Sequence, residues 1–115
     1  MTGSINKAQI LGRLGQDPQI IMTQSGKEIA KFNIATSERF TDKNGEIQER
    51  TEWHRVVIFA DGLVSKVVKP YLKTGSRVFV EGSNRTEKYT DKDGIDRYST
   101  EVVVRELILV DRKQS

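Results

Sequence analysis

Apolar and polar residues alternate with a period of two over most of the chain, the mark of strands that bury one face. Residues 7–14 set Ala8, Ile10, Gly12 and Leu14 against Lys7, Gln9, Leu11 and Arg13, and Gly15-Gln16-Asp17-Pro18 then supplies a turn. A short apolar run at 20–23 meets Gln24-Ser25-Gly26-Lys27, after which Ala30, Phe32, Ile34 and Thr36 alternate with Ile29, Lys31, Asn33 and Ala35. Together these segments predict a hairpin. Residues 37–51 turn polar around Asp42-Lys43-Asn44-Gly45, predicting a loop or a protruding hairpin. Alternation resumes with Trp53, Arg55, Val57 and Phe59 against His54, Val56 and Ile58. Further strands are expected at 77–82 and 85–90, then, after the turn Asp91-Lys92-Asp93-Gly94, at 97–105 leading into 107–110.

One stretch breaks the pattern. At 62–72 the apolar positions Leu63, Val64, Val67, Val68, Tyr71 and Leu72 follow helical spacing, and Pro70 is expected to end the regular helix near Lys69. No linker, repeat or low-complexity tract divides the 115 residues, which predicts one domain over residues 1–110 and a short polar end at 111–115. Strands, one helix, then strands again in a chain this small point to an all-β fold. The expected form is a five-stranded Greek-key OB-fold barrel with one short helix and long β-hairpin loops. Composition agrees, because Val, Ile and Thr number 30 against 10 for Leu and Ala, and branched Cβ atoms suit a pleated surface.

Candidate chemistry narrows quickly. With no Cys and a single His54, disulfides, thiolate zinc sites, cysteine nucleophiles and two-His metal sites are excluded, and no cofactor is called for. Gly12-x-x-Gly15 follows a strand but opens no helix, so it is no phosphate-binding loop. The acidic runs at 42–45 and 91–96 resemble calcium loops, yet glycine stands fourth rather than sixth and the flanks are strand-like, so both are read as turns. Carboxylates are scattered, and no paired acid and base stands out; the chain is not expected to be an enzyme. The net charge of +3 permits a polyanionic partner without requiring one. No apolar run approaches the roughly 20 residues of a membrane span, and residues 1–7 lack the order of a signal peptide.

Trp53, Arg55 and Phe59 share one strand parity, so two rings and a guanidinium emerge on one face. That combination suits stacking on bases with a countercharge for phosphate, or else it belongs to the core with Arg55 at its margin. Arg85, Glu87 and Tyr89 share another parity, with Arg97 and Tyr98 expected across the turn; this is either a binding finger or a solvated hairpin. Glu38-Arg39-Phe40 with Lys43 opens the other long hairpin. His54 lies opposite Trp53 and Arg55 in parity and is read as a hydrogen-bonded structural residue.

Several separated blocks are specific. They are Asn6-Lys7, Gly12-x-Leu14-Gly15-Gln16-Asp17-Pro18, Thr51-Glu52-Trp53-His54-Arg55-Val56-Val57, Tyr71-Leu72-x-x-Gly75-Ser76, Val80-Glu81-Gly82, and Asp96-Arg97-Tyr98-x-Thr100-Glu101-Val102-Val103-Val104. In this order, over about residues 4 to 110, they closely resemble the DNA-binding domain of the bacterial single-stranded DNA-binding proteins. The resemblance implies an OB-fold that assembles as a homotetramer and wraps single-stranded DNA with little sequence preference, in replication, recombination and repair. It puts stacking on Phe40, Trp53, Phe59 and Tyr89, where the family commonly has Trp at the positions of Phe40 and Tyr89. It puts phosphate contacts on Lys7, Arg55, Lys73, Arg85 and Lys88, and a subunit interface at His54; Glu87 stands where a basic residue is common.

Family members usually continue into a Gly/Pro/Gln-rich linker and an acidic tip, whereas this sequence ends Asp111-Arg112-Lys113-Gln114-Ser115, so recruitment of replication and repair proteins through such a tip is not expected of it. The bacterial cytoplasm, at the nucleoid, is the expected location. Two relatives in fold frame the alternatives: a primosomal replication-restart protein that binds single strands as a dimer, and a metal-dependent nuclease, for which converging carboxylates are missing. Binding of RNA is a third.

Overall fold

The computed structural model describes residues 3–110. Met1, Thr2 and the polar end expected at 111–115 lie outside the described residues. Six strands form among the described residues: β1 (Ala8–Leu14), β2 (Gln19–Met22), β3 (Glu28–Thr41), β4 (Ile47–Ile58), β5 (Arg77–Thr90) and β6 (Asp96–Leu109). A helical segment, α1 (residues 61–71), joins β4 to β5. The sheet order is β1-β5-β6-β4-β3-β2, and β1 pairs again with β3 through Arg13↔Ala35 and Leu14↔Ile34. That second pairing closes β1, β5, β6, β4 and β3 into a five-stranded barrel, with β2 a short addition to β3. β4 and β6 alone run parallel, Val56 and Val57 meeting Val102 and Val103. The architecture is the Greek-key OB barrel that the alternation predicts.

Inward parity does the packing. Ile10, Leu14, Ala30, Phe32, Ile34, Val56 and Ile58 are all buried, as their alternation requires, and Val78, Val80, Val102 and Val104 complete the wall. Each of these side chains except the smaller Ala30 contributes about 1.5–3 kcal/mol on burial. α1 packs against β3 and sends Val64, Val68 and then Leu72 into the same core.

The helix runs past its expected end at Lys69. An α turn over Asp61–Leu63 passes into a wide π turn over Val64–Val68 and a last α turn over Lys69–Tyr71, which contains Pro70. The Lys69 N–H reaches back five residues to the Val64 carbonyl. This widening just before Pro70 relieves the clash between a proline ring and the carbonyl a turn earlier. Tyr71, expected on the apolar stripe, is exposed instead.

The strands expected separately at 77–82 and 85–90 are one, bent by a bulge at Glu81/Gly82. A side chain at Gly82 would strike the Val103 carbonyl, so glycine permits this close approach. Beyond the barrel two arms project. Residues 37–51 form a regular ladder from Ser37↔Thr51 to Thr41↔Ile47, and β5 with β6 forms another from Arg85↔Glu101 to Thr90↔Asp96. The two acidic runs are turns at their tips. Asp42 Oδ1 accepts the N–H groups of Asn44 and Glu46 at 2.9 and 3.0 Å, and Asp91 Oδ1 accepts those of Asp93 and Ile95 at 2.9 and 3.0 Å. Among the described residues no helix is long and apolar enough to cross a membrane.

Candidate nucleic-acid interface

On β4 the alternation turns Trp53 and Arg55 outward and drives Val56 and Ile58 into the core. Trp53 is 57% exposed, so it is not a core residue; Phe59, just past the strand, is exposed as well. Val57 shares their parity yet is 0% exposed, because Lys31 of β3 and Val103 of β6 flank it in register. The indole of Trp53 lies against Gly15, where any side chain would overlap it, and Gln16 and Asn33 complete the recess. A ring held this way has little rotational freedom left to lose on contact with a ligand.

β4 and β6 pair over two residues and then diverge into the two arms. Arg55 spans the fork, its Nη1 donating to Ser99 Oγ at 2.9 Å. A polar cleft of about 290 Å³ opens here, lined by Gln16, Gln19, Lys31, Asn33, Arg55, Glu87, Ser99 and Glu101. The guanidinium carbon of Arg85 sits 5.0 Å from the centre of the Phe59 ring, a cation–π contact. Trp53, Arg55, Phe59 and Arg85 are thus gathered around the fork.

The other expected contacts stand apart from that group. Phe40 is exposed near the tip of the β3–β4 arm, with the Arg50 guanidinium 5.2 Å from its ring centre. Lys88 and exposed Tyr89 lie near the tip of the β5–β6 arm. Register puts Arg97 opposite Tyr89 but Tyr98 opposite Lys88, so the two residues expected together across this turn belong to opposite faces. Lys7 precedes β1. Lys73 follows α1 in a turn where its N–H donates to Ser76 Oγ at 3.0 Å. Beside it, Asp17 Oδ1 accepts the N–H and the hydroxyl of Thr74, both at 2.8 Å, and these bonds, the backbone one foremost, hold its carboxyl below the usual range.

Availability of charge separates the basic residues. Lys7 Nζ is 3.2 Å from Glu81, Lys88 Nζ is 3.2 Å from Asp96, and Arg85 Nη2 is 2.7 Å from Glu101 and 3.0 Å from Glu87. Hydrogen bonds from Gln9 and then Lys7 hold Glu81 below the ordinary carboxylate range. Arg55 and Lys73 have no carboxylate within ion-pair distance among the described residues. His54 is half-buried with its Nε2 2.9 Å from Thr36 Oγ1, a structural hydrogen bond as expected.

Sequence reasoning passed over Lys31 and Asn33, although their parity opposite Ala30, Phe32 and Ile34 already marks them as outward. Gln19, Ser99 and Glu101 reach the fork only through strand register and Gln16 only through the bend after β1, and no local signal carries either.

Residues 5–110 match the model of the single-strand binding protein family. A single-stranded DNA-binding protein of Rhizobium meliloti is 51% identical over 106 residues, which cover 91% of this chain and 60% of that protein. The corresponding protein of Rickettsia felis is 48% identical over 120 residues, covering 100% of this chain and 78% of that protein. The chain thus spans about three fifths to four fifths of the length of these relatives. A solved structure described as the Plasmodium falciparum SSB complex with ssDNA superposes with a TM-score of 0.88 at 33% identity, over 96% of this chain and 99% of that one. With the fold matched over 96% of its length and the sequence from residue 5 to residue 110, the chain belongs to the single-strand binding protein family.

Proposed function

We propose that this chain binds single-stranded DNA without catalysis and with little sequence preference, protecting exposed strands in replication, recombination and repair. The observation that carries this reading is the exposed Trp53, oriented on Gly15 beside Arg55 at the fork, in a barrel that superposes on one solved with single-stranded DNA. Bases stack on Trp53, Phe59, Phe40 and Tyr89, which expose π-faces from the fork to the tips of both arms. Phosphates meet Arg55 and Lys73 first, because these cations have no carboxylate to leave; Lys7, Lys88 and Arg85 contribute only as their pairs exchange. Neither step forms or breaks a covalent bond.

The working form is a homotetramer. Leu11 of β1, Phe79 of β5 and Ile108 of β6 lie side by side in register on the outer face, with Leu11 and Ile108 exposed. An apolar row of this kind on a small barrel is surface for a second copy to cover. His54, half-buried on β4, lies at a further contact between copies. Light-scattering mass with and without a long oligo(dT) tests assembly and binding together: the expected result is four chains per particle, with the DNA added to that mass. A monomer or dimer that binds DNA overturns the tetramer, and a tetramer that leaves the DNA free overturns the binding.

A further inference from the structure

The fork does not present its basic residues equally. Arg85 directs one nitrogen, Nη2, at two carboxylates, Glu101 at 2.7 Å and Glu87 at 3.0 Å, while its guanidinium covers Phe59 with the carbon 5.0 Å from the ring centre. Its Nε is buried without a hydrogen-bond partner, so this side of the guanidinium is covered at the cost of one unpaired donor, and the ion pairs hold it there. One cation set between two carboxylates is a net negative group, and Glu87 and Glu101 also line the cleft that holds Arg55 and Lys31. A phosphate approaching Arg85 is therefore repelled by the group as a whole. For Arg85 to neutralise a phosphate it must leave both carboxylates, which then take up cations from solution. That uptake cancels the counterion released from the DNA. The same movement is what uncovers this face of Phe59.

We infer that Glu87 and Glu101 are affinity-setting residues of the single-strand face. They clamp Arg85 over Phe59, withhold it from phosphate, and keep affinity and salt dependence below what the basic residues alone would give. The inference rests on the single-strand-binding reading above. Glu87 is the adjustable half of the clamp, its side chain 57% exposed on the arm, whereas that of Glu101 is 14% exposed against the barrel.

The test is anisotropy of labelled oligo(dT) over a series of salt concentrations with the full chain, Glu87→Gln and Asp93→Asn. Asp93→Asn removes the same charge from the tip of the same arm, where no ion pair is broken. Glu87→Gln is expected to bind roughly fivefold tighter at low salt, the worth of one unit charge at contact distance in water. Its log–log salt slope is expected to steepen toward the further 0.7 or so that one phosphate contact on a single strand contributes. Asp93→Asn should leave the slope unchanged. A second comparison, Arg85→Gln against Arg85→Gln with Glu87→Gln, should show no steepening of the slope, because no clamped cation remains to release. Equal gains from Glu87→Gln and Asp93→Asn, or an unchanged slope in Glu87→Gln while the unaltered chain binds, would overturn the clamp and leave the binding reading standing. No binding by the unaltered chain would overturn both.

Discussion

The two arms share one construction and differ in what they offer a ligand. Each ends in a turn organised by a single aspartate, Asp42 in one and Asp91 in the other, accepting two backbone N–H groups at the same pair of distances. Each carries an exposed aromatic near its tip, Phe40 or Tyr89. At the roots they diverge. The β3–β4 arm brings Trp53 to the fork with Arg55, which has no carboxylate partner among the described residues, while Arg85 at the root of the β5–β6 arm is held by two acids and Lys88 near its tip by a third. The difference teaches that a count of basic residues overstates the field a polyanion meets; what matters is which cations have no carboxylate to give up.

Removing the ring at the root of the first arm should have the largest effect. Trp53→Ala is expected to cost about 1–3 kcal/mol of affinity for oligo(dT), the worth of one stacked base, while the barrel stays folded, because the exposed indole lies outside the core. Titration by anisotropy with circular dichroism as a fold control checks this; a protein that unfolds would place Trp53 among the structural residues after all. A smaller effect separates the cations. Arg55→Ala should flatten the log–log salt slope by about 0.7, one phosphate contact, whereas Lys88→Ala should change it less, because that lysine begins paired with Asp96. Equal slopes in the two variants would erase the distinction between the arms.

The smallest effect concerns the turns, where the arms should behave alike. The Glu46 N–H and then Gln48 hold the Asp42 carboxyl below its ordinary range, and Arg97 and then the Ile95 N–H do the same for Asp91. A carboxyl whose value is depressed on folding adds stability above its unfolded value, near pH 3.9, and that stability is lost as the pH falls through the folded value. The amide proton shifts of Glu46 and Ile95, followed by NMR on acidification, should therefore titrate with midpoints below about pH 3.9. A midpoint at or above it in either arm would show that the aspartate there does not organise the turn.

Much of this molecule is legible along the chain where a period of two is unbroken. The inward sets of β1, β3 and β4 can be read directly, since a buried face demands alternation, and the same parity turns Trp53 and Arg55 outward. The tips are legible too, because aspartate and glycine chemistry is local. The length of the arms is harder, since residues 37–41 and 47–51 are exposed on both faces, Phe40 and Ile47 included, and hold together through cross-strand bonds such as Ser37 Oγ to Thr51 Oγ1 at 3.2 Å. The helix end is missed because the π turn that admits Pro70 leaves no mark in apolar spacing. Least legible is the electrostatics of the fork. Arg85 meets Glu101 across sixteen positions, and only the register set by the bulge and the Asp91 turn brings them together. Val57 is likewise covered by neighbours on two other strands, and its own strand reads it as exposed.

The stacking role proposed for Trp53 at the root of the first arm can be read directly, because Trp53 is the chain's one tryptophan and serves as its own probe. Emission measured while oligo(dT) is added to saturation, beside a parallel titration with a short duplex, reads that surface alone. Strong quenching by the single strand is expected, and far less by the duplex, whose bases are already stacked on one another. Unchanged emission at saturation with oligo(dT), with binding confirmed by anisotropy, would contradict it.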